Sequence, residues 1–396
     1  MLCLGFFTIN LIIIYGSSIP GAMPEPSKYI LSFPLIPNPM NVSVNTEDLS
    51  KNYILIIGDW GAQDEATTDV KVQTAIAEKM KTFYENEKKD GMNLLFVGTV
   101  GDNFYYDGQN CDYWEKRWTN MYGDLINYPW LAVFGNHDWG IDDPEAMCAF
   151  GVSTPKYINP TTGIPYAANQ INKYPTKGCN PDNYYIPDFG YYYTIPELNF
   201  EWIALEESVT ICPDDMGDSN YKYCDNGSSK VGCEYLGKMR DASEDMMISR
   251  ANSSNNTNFV ISQHYPQNGN RLVDDFKKAR SSAGKTRSKD LVWSVYGHTH
   301  EQDCKRQSSD GNCDSMLTGG GGGCCSTKTL RGFWVIGFDS NGQMTQPYKY
   351  NDPSISCEYP CGATFTNNEI IKDTFMHCCK ASYDDNINCD FFDMSK

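Results

Sequence analysis

Residues 94–108 read LLFVGTVGDNFYYDG. Leu94 to Val97 form a short, continuous apolar run, the pattern of a strand buried on both faces. The run gives way to Asp102, with Tyr105 three residues further on. An acid at a strand end can simply cap a turn, and a tyrosine beside it can simply pack, so this stretch alone decides nothing. The same arrangement recurs four times. YILII at 53–57 runs into GDWG and presents Asp59. WLAVF at 130–134 runs into GNHDWG and presents Asn136 and His137. NFVIS at 258–262 runs into QHYPQNG and presents His264. LVWSVY at 291–296 runs into GHTHEQD and presents His298 and His300.

Buried strands alternating with helical segments predict an α/β fold with parallel strands. TTDVKVQTAIAEKMKTFYENEKKDG predicts an amphipathic helix, with Val72, Ile76, Met80 and Phe83 on one stripe, Lys88 and Lys89 at the carboxyl end and Gly91 as its stop. YWEKRWTNMYGDL predicts further helix, FEWIALEES another strand, CEYLGKMRDASEDMMISRA a second helix and GFWVIGFDSNGQM a closing hairpin. Residues 153–190 predict a long insertion rich in Pro, Asn, Tyr and Gly, and 208–233 a loop tied by Cys212, Cys224 and Cys233. In such folds the loops at the carboxyl ends of parallel strands converge on one crevice, which would gather the five polar loops in one place. Histidine sharpens the point. The chain has 5 histidines, and only His377 lies outside these loops. In GHTH, two imidazoles two residues apart suit a pair of neighbouring ions. Such a pair, about 3.5–4 Å apart, needs a bridging carboxylate, and Asp102 is the natural one.

GDWG, GDNFY, GNHD, QHYP and GHTH, in this order over residues 52 to 350, resemble the motifs of the calcineurin-like metallophosphoesterases, and more closely those of purple acid phosphatases of the small, tartrate-resistant type. The resemblance implies a four-layer αββα sandwich with a dinuclear site on one edge. It implies a ferric ion held by Asp59, Tyr105, His300 and the shared Asp102. The second ion, iron, zinc or manganese, is implied to be held by Asn136, His264, His298 and Asp102. A phenolate from Tyr105 is a hard donor that favours Fe(III). The implied activity is an acid phosphatase in which metal-activated hydroxide attacks a phosphate monoester, small or on a phosphoprotein, with His137 contacting the phosphate and protonating the leaving alkoxide. A catalytically silent interaction scaffold and iron-dependent generation of reactive oxygen are the alternatives on the same fold. Two features depart from the small mammalian relatives. No further histidine follows HYP in HYPQNGNRLVDDF, and the cysteine-bearing 208–233 segment stands where the family has a regulatory loop. GGGGGCCS at 319–326 stands where the family has a glycine-rich loop, fit either to face substrate or to form a tight turn with a disulfide.

The remaining composition sets the context. A net charge of −18 disfavours nucleic acid and anionic membranes as partners, while a small anionic substrate can still be received by a local metal centre. The 16 cysteines show no paired CxxC zinc pattern and exceed what a reducing cytosol favours, so disulfides are expected. Cys3 lies in the expected leader, which leaves an odd number in the mature chain. The apolar start closed by small residues predicts a signal peptide over 1–18, and sequons at Asn41, Asn226, Asn252 and Asn255 agree with a secreted or lysosome-like location. The expected organisation is completed by a Pro-rich segment at 19–50, a catalytic domain at 51–350 and a Cys-rich tail at 351–396.

Overall fold

The computed structural model describes residues 42–61, 68–104, 114–138, 170, 181–211, 228–307, 311, 313–322 and 331–352. Tyr105, the expected leader, the sequons at Asn41 and Asn226, the cysteines at 212 and 224 and the Cys-rich tail beyond Asp352 lie outside them.

The apolar runs form strands as expected. β1 (Asn52–Ile57), β2 (Asn93–Thr99) and β3 (Trp130–Ala132) pair in parallel, and β4 (Tyr184–Tyr185) extends them. The expected helix α1 (Thr68–Lys89) connects β1 to β2. It buries Val72, Ile76 and Met80, with Phe83 half-buried on the same stripe. Gly91 follows it with φ +75°, the left-handed conformation that ends a helix at little cost. Short helical turns at Trp114–Thr119, Asn120–Tyr122 and Gly123–Asn127 lead into β3. The sheet is completed on its other side by β11 (Gly332–Gly337) and β12 (Tyr348–Asn351), both antiparallel, in the order β12-β11-β1-β2-β3-β4.

A second sheet has the order β5-β6-β7-β8-β10-β9. Its central strands β6 (Phe200–Ala204), β7 (Asn258–Ser262) and β8 (Leu291–Tyr296) are parallel, as is the β8–β10 pair. β5 (Tyr191–Ile195) and β9 (Gln302–Gln307) run antiparallel at the edges, and β10 is Cys313–Thr318. Helices α2 (Ser228–Ser253) and α3 (Pro266–Ser282) cover the outer face. Met246, Met247 and Ala251 of α2 and Leu272, Val273 and Phe276 of α3 meet Ile203, Phe259, Ile261 and Val292 there in a separate apolar cluster. The layers run α1, first sheet, second sheet, then α2 with α3. This is the αββα arrangement expected from the motifs.

The two inner faces share one continuous core. Phe96 of β2 lies 5.5 Å from Trp202 of β6, edge to face. Gly98, two residues along the same face, makes this approach possible, since a Cβ there would sit 2.4 Å from Trp202 Cη2.

The structure also departs from the sequence reading. The expected loop at 208–233 ends early, because α2 already begins at Ser228. The end of the predicted insertion supplies β4, and β5, β9, β10 and α3 were not legible. β9, QDCKRQ, is charged and partly exposed because it is an edge strand, which hides the alternation that would mark it. The closing hairpin forms through the Phe338–Met344 bridge, but β11 takes its long pairing from β1 and β12. Disulfide chemistry is present in Cys304–Cys313, which ties β9 to β10. No helix among the described residues is long and apolar enough to cross a membrane.

Two outcomes follow for stability. Gly98→Ala forces the sheets apart at Trp202 and should lower the unfolding free energy by about 1–3 kcal/mol in denaturant titration. Asp188 is buried, and burial pushes its carboxyl up to about 7, only partly offset by the Phe189 N–H that it accepts at 2.7 Å. Its folded-state pKa lies above the unfolded value, so its contribution is fully present below about pH 4 and is lost as pH rises through about 7. Asp188→Asn should therefore match the wild type in thermal unfolding near pH 4 and exceed it at pH 8, by up to about 4 kcal/mol.

Candidate metal centre

Each of the five loops leaves the carboxyl end of its strand at the same edge of the sandwich. The backbone there is unusual. Five described non-glycine residues have φ in the left-handed region, and four of them are Asp59 (+53°), Asp102 (+49°), His298 (+76°) and His300 (+52°). Each such conformation costs on the order of 1 kcal/mol or more, and it persists only where the surroundings enforce it. The fifth, Asn199, sits in the tight turn between β5 and β6. Strain is thus concentrated on residues singled out by chemistry, not by turn preference.

The side chains meet. Asp102, His264 and His298 form one group and Asp59, Asp102 and His300 another; within each, one ligand atom per residue lies within 4.8 Å of the others. Asp102 belongs to both. Asn136 joins the first group: its Oδ1 lies 3.0 Å from His264 Nε2 and 3.1 Å from His298 Nδ1. In the second, His300 Nε2 lies 3.4 Å from Asp59 Oδ1. Six of the seven expected ligands therefore converge, and the seventh, Tyr105, lies outside the described residues.

Outer contacts aim these groups. His264 Nδ1 lies 2.8 Å from the Val100 carbonyl, which can only accept, so Nδ1 carries the proton and Nε2 points at Asp102 and Asn136. The His298 N–H donates to both oxygens of Asp59, at 3.0 and 2.9 Å. The His137 N–H donates to Asp102 Oδ1 at 3.0 Å, and its imidazole Nε2 lies 4.0 Å from Asp102 Oδ2. Arg331, fully buried, donates to the carbonyl of His300. Gly297 is required by proximity, because a Cβ on it would fall 2.2 Å from Asp59 Oδ2. Of the glycine-rich stretch, residues 319–322 pack on the loop after β1, with Gly321 N–H donating to the Gly58 carbonyl at 3.0 Å; the remainder of it lies outside the described residues.

The electrostatics fit a cation. Asp59 and Asp102 are both fully buried, and burial pushes Asp59 above the usual carboxylate range against the pull of His300 and His264. Burial opposes ionisation of Asp102 as well, but His264, His137 and His298 hold it well below that range. Burial likewise disfavours a charged His264, yet Asp102 raises it to about 10. Two adjacent buried carboxylates need positive charge, and here the imidazolium protons of His264 supply part of it. Asp102 Oδ2 accepts no hydrogen bond among the described residues, although it lies 3.3 Å from His264 Nε2. Buried carboxylate, imidazole and amide oxygen donors around an unsatisfied oxygen fit iron, zinc or manganese, and binding would displace those protons.

The sequence missed some contributors. Arg331 and the Val100 carbonyl carry no motif. Asp138 is visible in GNHD but is given no role there, and Gln170, which meets it, lies far along the chain in a stretch rich in Pro, Asn, Tyr and Gly.

Comparison with known proteins agrees with this geometry. The model of the calcineurin-like phosphoesterase family matches residues 53–302, more than half of the chain. Purple acid phosphatase 7 of Arabidopsis thaliana is 33% identical over 89 residues, a stretch covering 22% of this chain and 24% of that protein.

Gly297→Ala tests the close approach at Asp59. It should displace the Asp59 carboxylate and reduce divalent-ion uptake by the metal-free protein, read by native mass spectrometry, while far-UV circular dichroism stays unchanged.

Proposed function

Because the chain belongs to the calcineurin-like phosphoesterase family, we propose that it is a metal-dependent hydrolase of phosphoesters, and more narrowly an acid phosphatase of the purple type that acts on phosphate monoesters. The observation that carries this reading is the pair of ligand groups sharing Asp102, each built on left-handed residues at strand ends. One ion would be held by Asp59, His300 and Asp102, with Tyr105 completing a ferric site on the strength of its spacing in GDNFY. The other, divalent iron, zinc or manganese, would be held by Asn136, His264, His298 and Asp102. When bound, such a pair supplies Lewis acidity toward phosphate oxygens and lowers the pKa of water from about 15.7 to about 7.

The chain's own residues do the rest. The Val100 carbonyl fixes the His264 tautomer, leaving the Nε2 lone pair for coordination. The neutral Asn136 amide adds an oxygen donor without adding negative charge, which matters in a pocket that must accept an anionic ester. Arg331 holds the His300 carbonyl and so the strained turn that orients its imidazole. His137 is tied through its backbone to the bridging carboxylate, with its ring 4.0 Å away, and in this reading it would donate a proton to a departing ester oxygen. The family resemblance and the expected leader support a secreted or lysosome-like location, and the net charge of −18 supports small phosphoesters or phosphoproteins over nucleic acid as substrates.

Metal analysis with a visible spectrum tests the assignment. Purified protein should hold two ions per chain and show a tyrosinate–iron band when oxidised. A colourless, fully metallated and active protein would refute the role given to Tyr105. Asn136→Ala and His264→Ala should each deplete one ion and reduce hydrolysis of an aryl phosphate by at least about 100-fold; retained turnover in both would remove the dinuclear mechanism. His137→Ala should slow esters with poor leaving groups more than those with good ones.

A further inference from the structure

Asp138 is the most heavily bonded carboxylate near the centre, and no role in coordination falls to it. It is buried at 1% exposure and accepts from five donors. The Asn103 N–H lies 3.0 Å from its Oδ1 and 3.2 Å from its Oδ2. The Phe104 N–H donates to Oδ1 at 3.1 Å, and Asn103 Nδ2 to Oδ2 at 3.2 Å. The Gly135 N–H donates to Oδ2 at 2.8 Å. Gln170 Nε2 donates to Oδ1, also at 2.8 Å.

The pattern is selective. Asn103 and Phe104 directly follow Asp102, and Gly135 directly precedes Asn136. One carboxylate therefore grips the backbone of two ligand loops, next to the bridging acid on one and next to the amide donor on the other. Gln170 completes the grip with both ends of its amide. While its nitrogen donates to Asp138, its Oε1 accepts from Asn103 Nδ2 at 3.4 Å and from the Tyr184 hydroxyl at 3.3 Å. Asn103 Oδ1 in turn accepts from Trp60 Nε1 at 3.1 Å, which brings in the loop that carries Asp59. Gln170 is fully buried, so no water replaces either of its ends without cost.

We propose that Asp138 and Gln170 act together as positioning residues that fix the spacing between the Asp102 and Asn136 loops, and thereby the fit of the ion shared by Asp102, Asn136, His264 and His298. Neither touches the ion or the substrate. The left-handed turn at Asp102 needs outside support, and this carboxylate–amide pair supplies it. The inference rests on the two-ion reading given above.

The test combines titration of metal-free protein with Mn2+ by calorimetry and amide hydrogen exchange of the same metal-free protein. Gln170→Leu should weaken one of the two ion sites by about 10–100-fold and leave the other near wild type. It should also speed exchange at the Asn103, Phe104 and Gly135 amides above the rest of the sheet edge. Gln170→Glu, which keeps the volume but sets a carboxylate against Asp138, should do the same, and it decides the matter if the leucine variant folds poorly. Tyr184→Phe removes only the outer hydrogen bond and should leave both affinities unchanged. Wild-type affinity at both sites in the Gln170 variants would overturn the proposal, as would equal weakening of both sites with uniform loss of protection, the signature of a merely structural brace. A wild type that takes up fewer than two ions would instead overturn the dinuclear reading, and the exchange rates at the three amides would still decide whether the pair positions the loops.

Discussion

A single buried carboxylate with two neighbours to satisfy organises this molecule. Asp102 belongs to both ligand groups, and its buried charge is tolerable only where cations surround it. The His264 imidazole, which Asp102 holds in its charged form, supplies part of that charge. Everything close to Asp102 serves this requirement. β2 delivers it, the His137 N–H and a left-handed turn aim it, and the parallel order β1-β2-β3 brings Asp59 and Asn136 to its two sides.

The sandwich is what makes the meeting possible. Candidate ligands come from both sheets: Asp59, Asp102 and Asn136 from the first, His264, His298 and His300 from the second. The two sheets must therefore be locked in register at the edge where their strands end. The Phe96–Trp202 contact over Gly98 and the shared core provide that lock some distance from the chemistry. Packing energy far from the site is thereby converted into geometry at the site, where strained φ angles at four ligands store part of it.

Around the candidate ligands lies a layer of groups that hydrogen-bond to their side chains or loops. The Val100 carbonyl selects a tautomer, Arg331 holds a turn, and Asp138 with Gln170 ties loops to each other. Such groups set how tightly and how selectively ions are held, because a ligand displaced by a fraction of an ångström loses coordination before it loses fold.

Much of this was legible in the chain. Buried strands read as apolar runs because both faces of a central parallel strand are covered, and the stripe of Val72, Ile76 and Met80 could only be helical. The five polar loops were visible because each begins where an apolar run stops, and histidine is too scarce for four of the chain's 5 to fall in these loops by composition. Edge strand β9 was hidden by its charge, and α3 by its start on the proline of the HYP motif, since Pro266 is compatible with a helix but does not announce one. The sequence thus determined which side chains are candidates for the chemistry and on which kind of fold they stand, since local periodicity and residue type are properties of short stretches. The tertiary structure alone decided that Gln170 reaches Asp138 and that the His298 N–H grips Asp59. Those contacts join residues from 32 to 239 positions apart, and no local preference encodes a distance across two packed sheets.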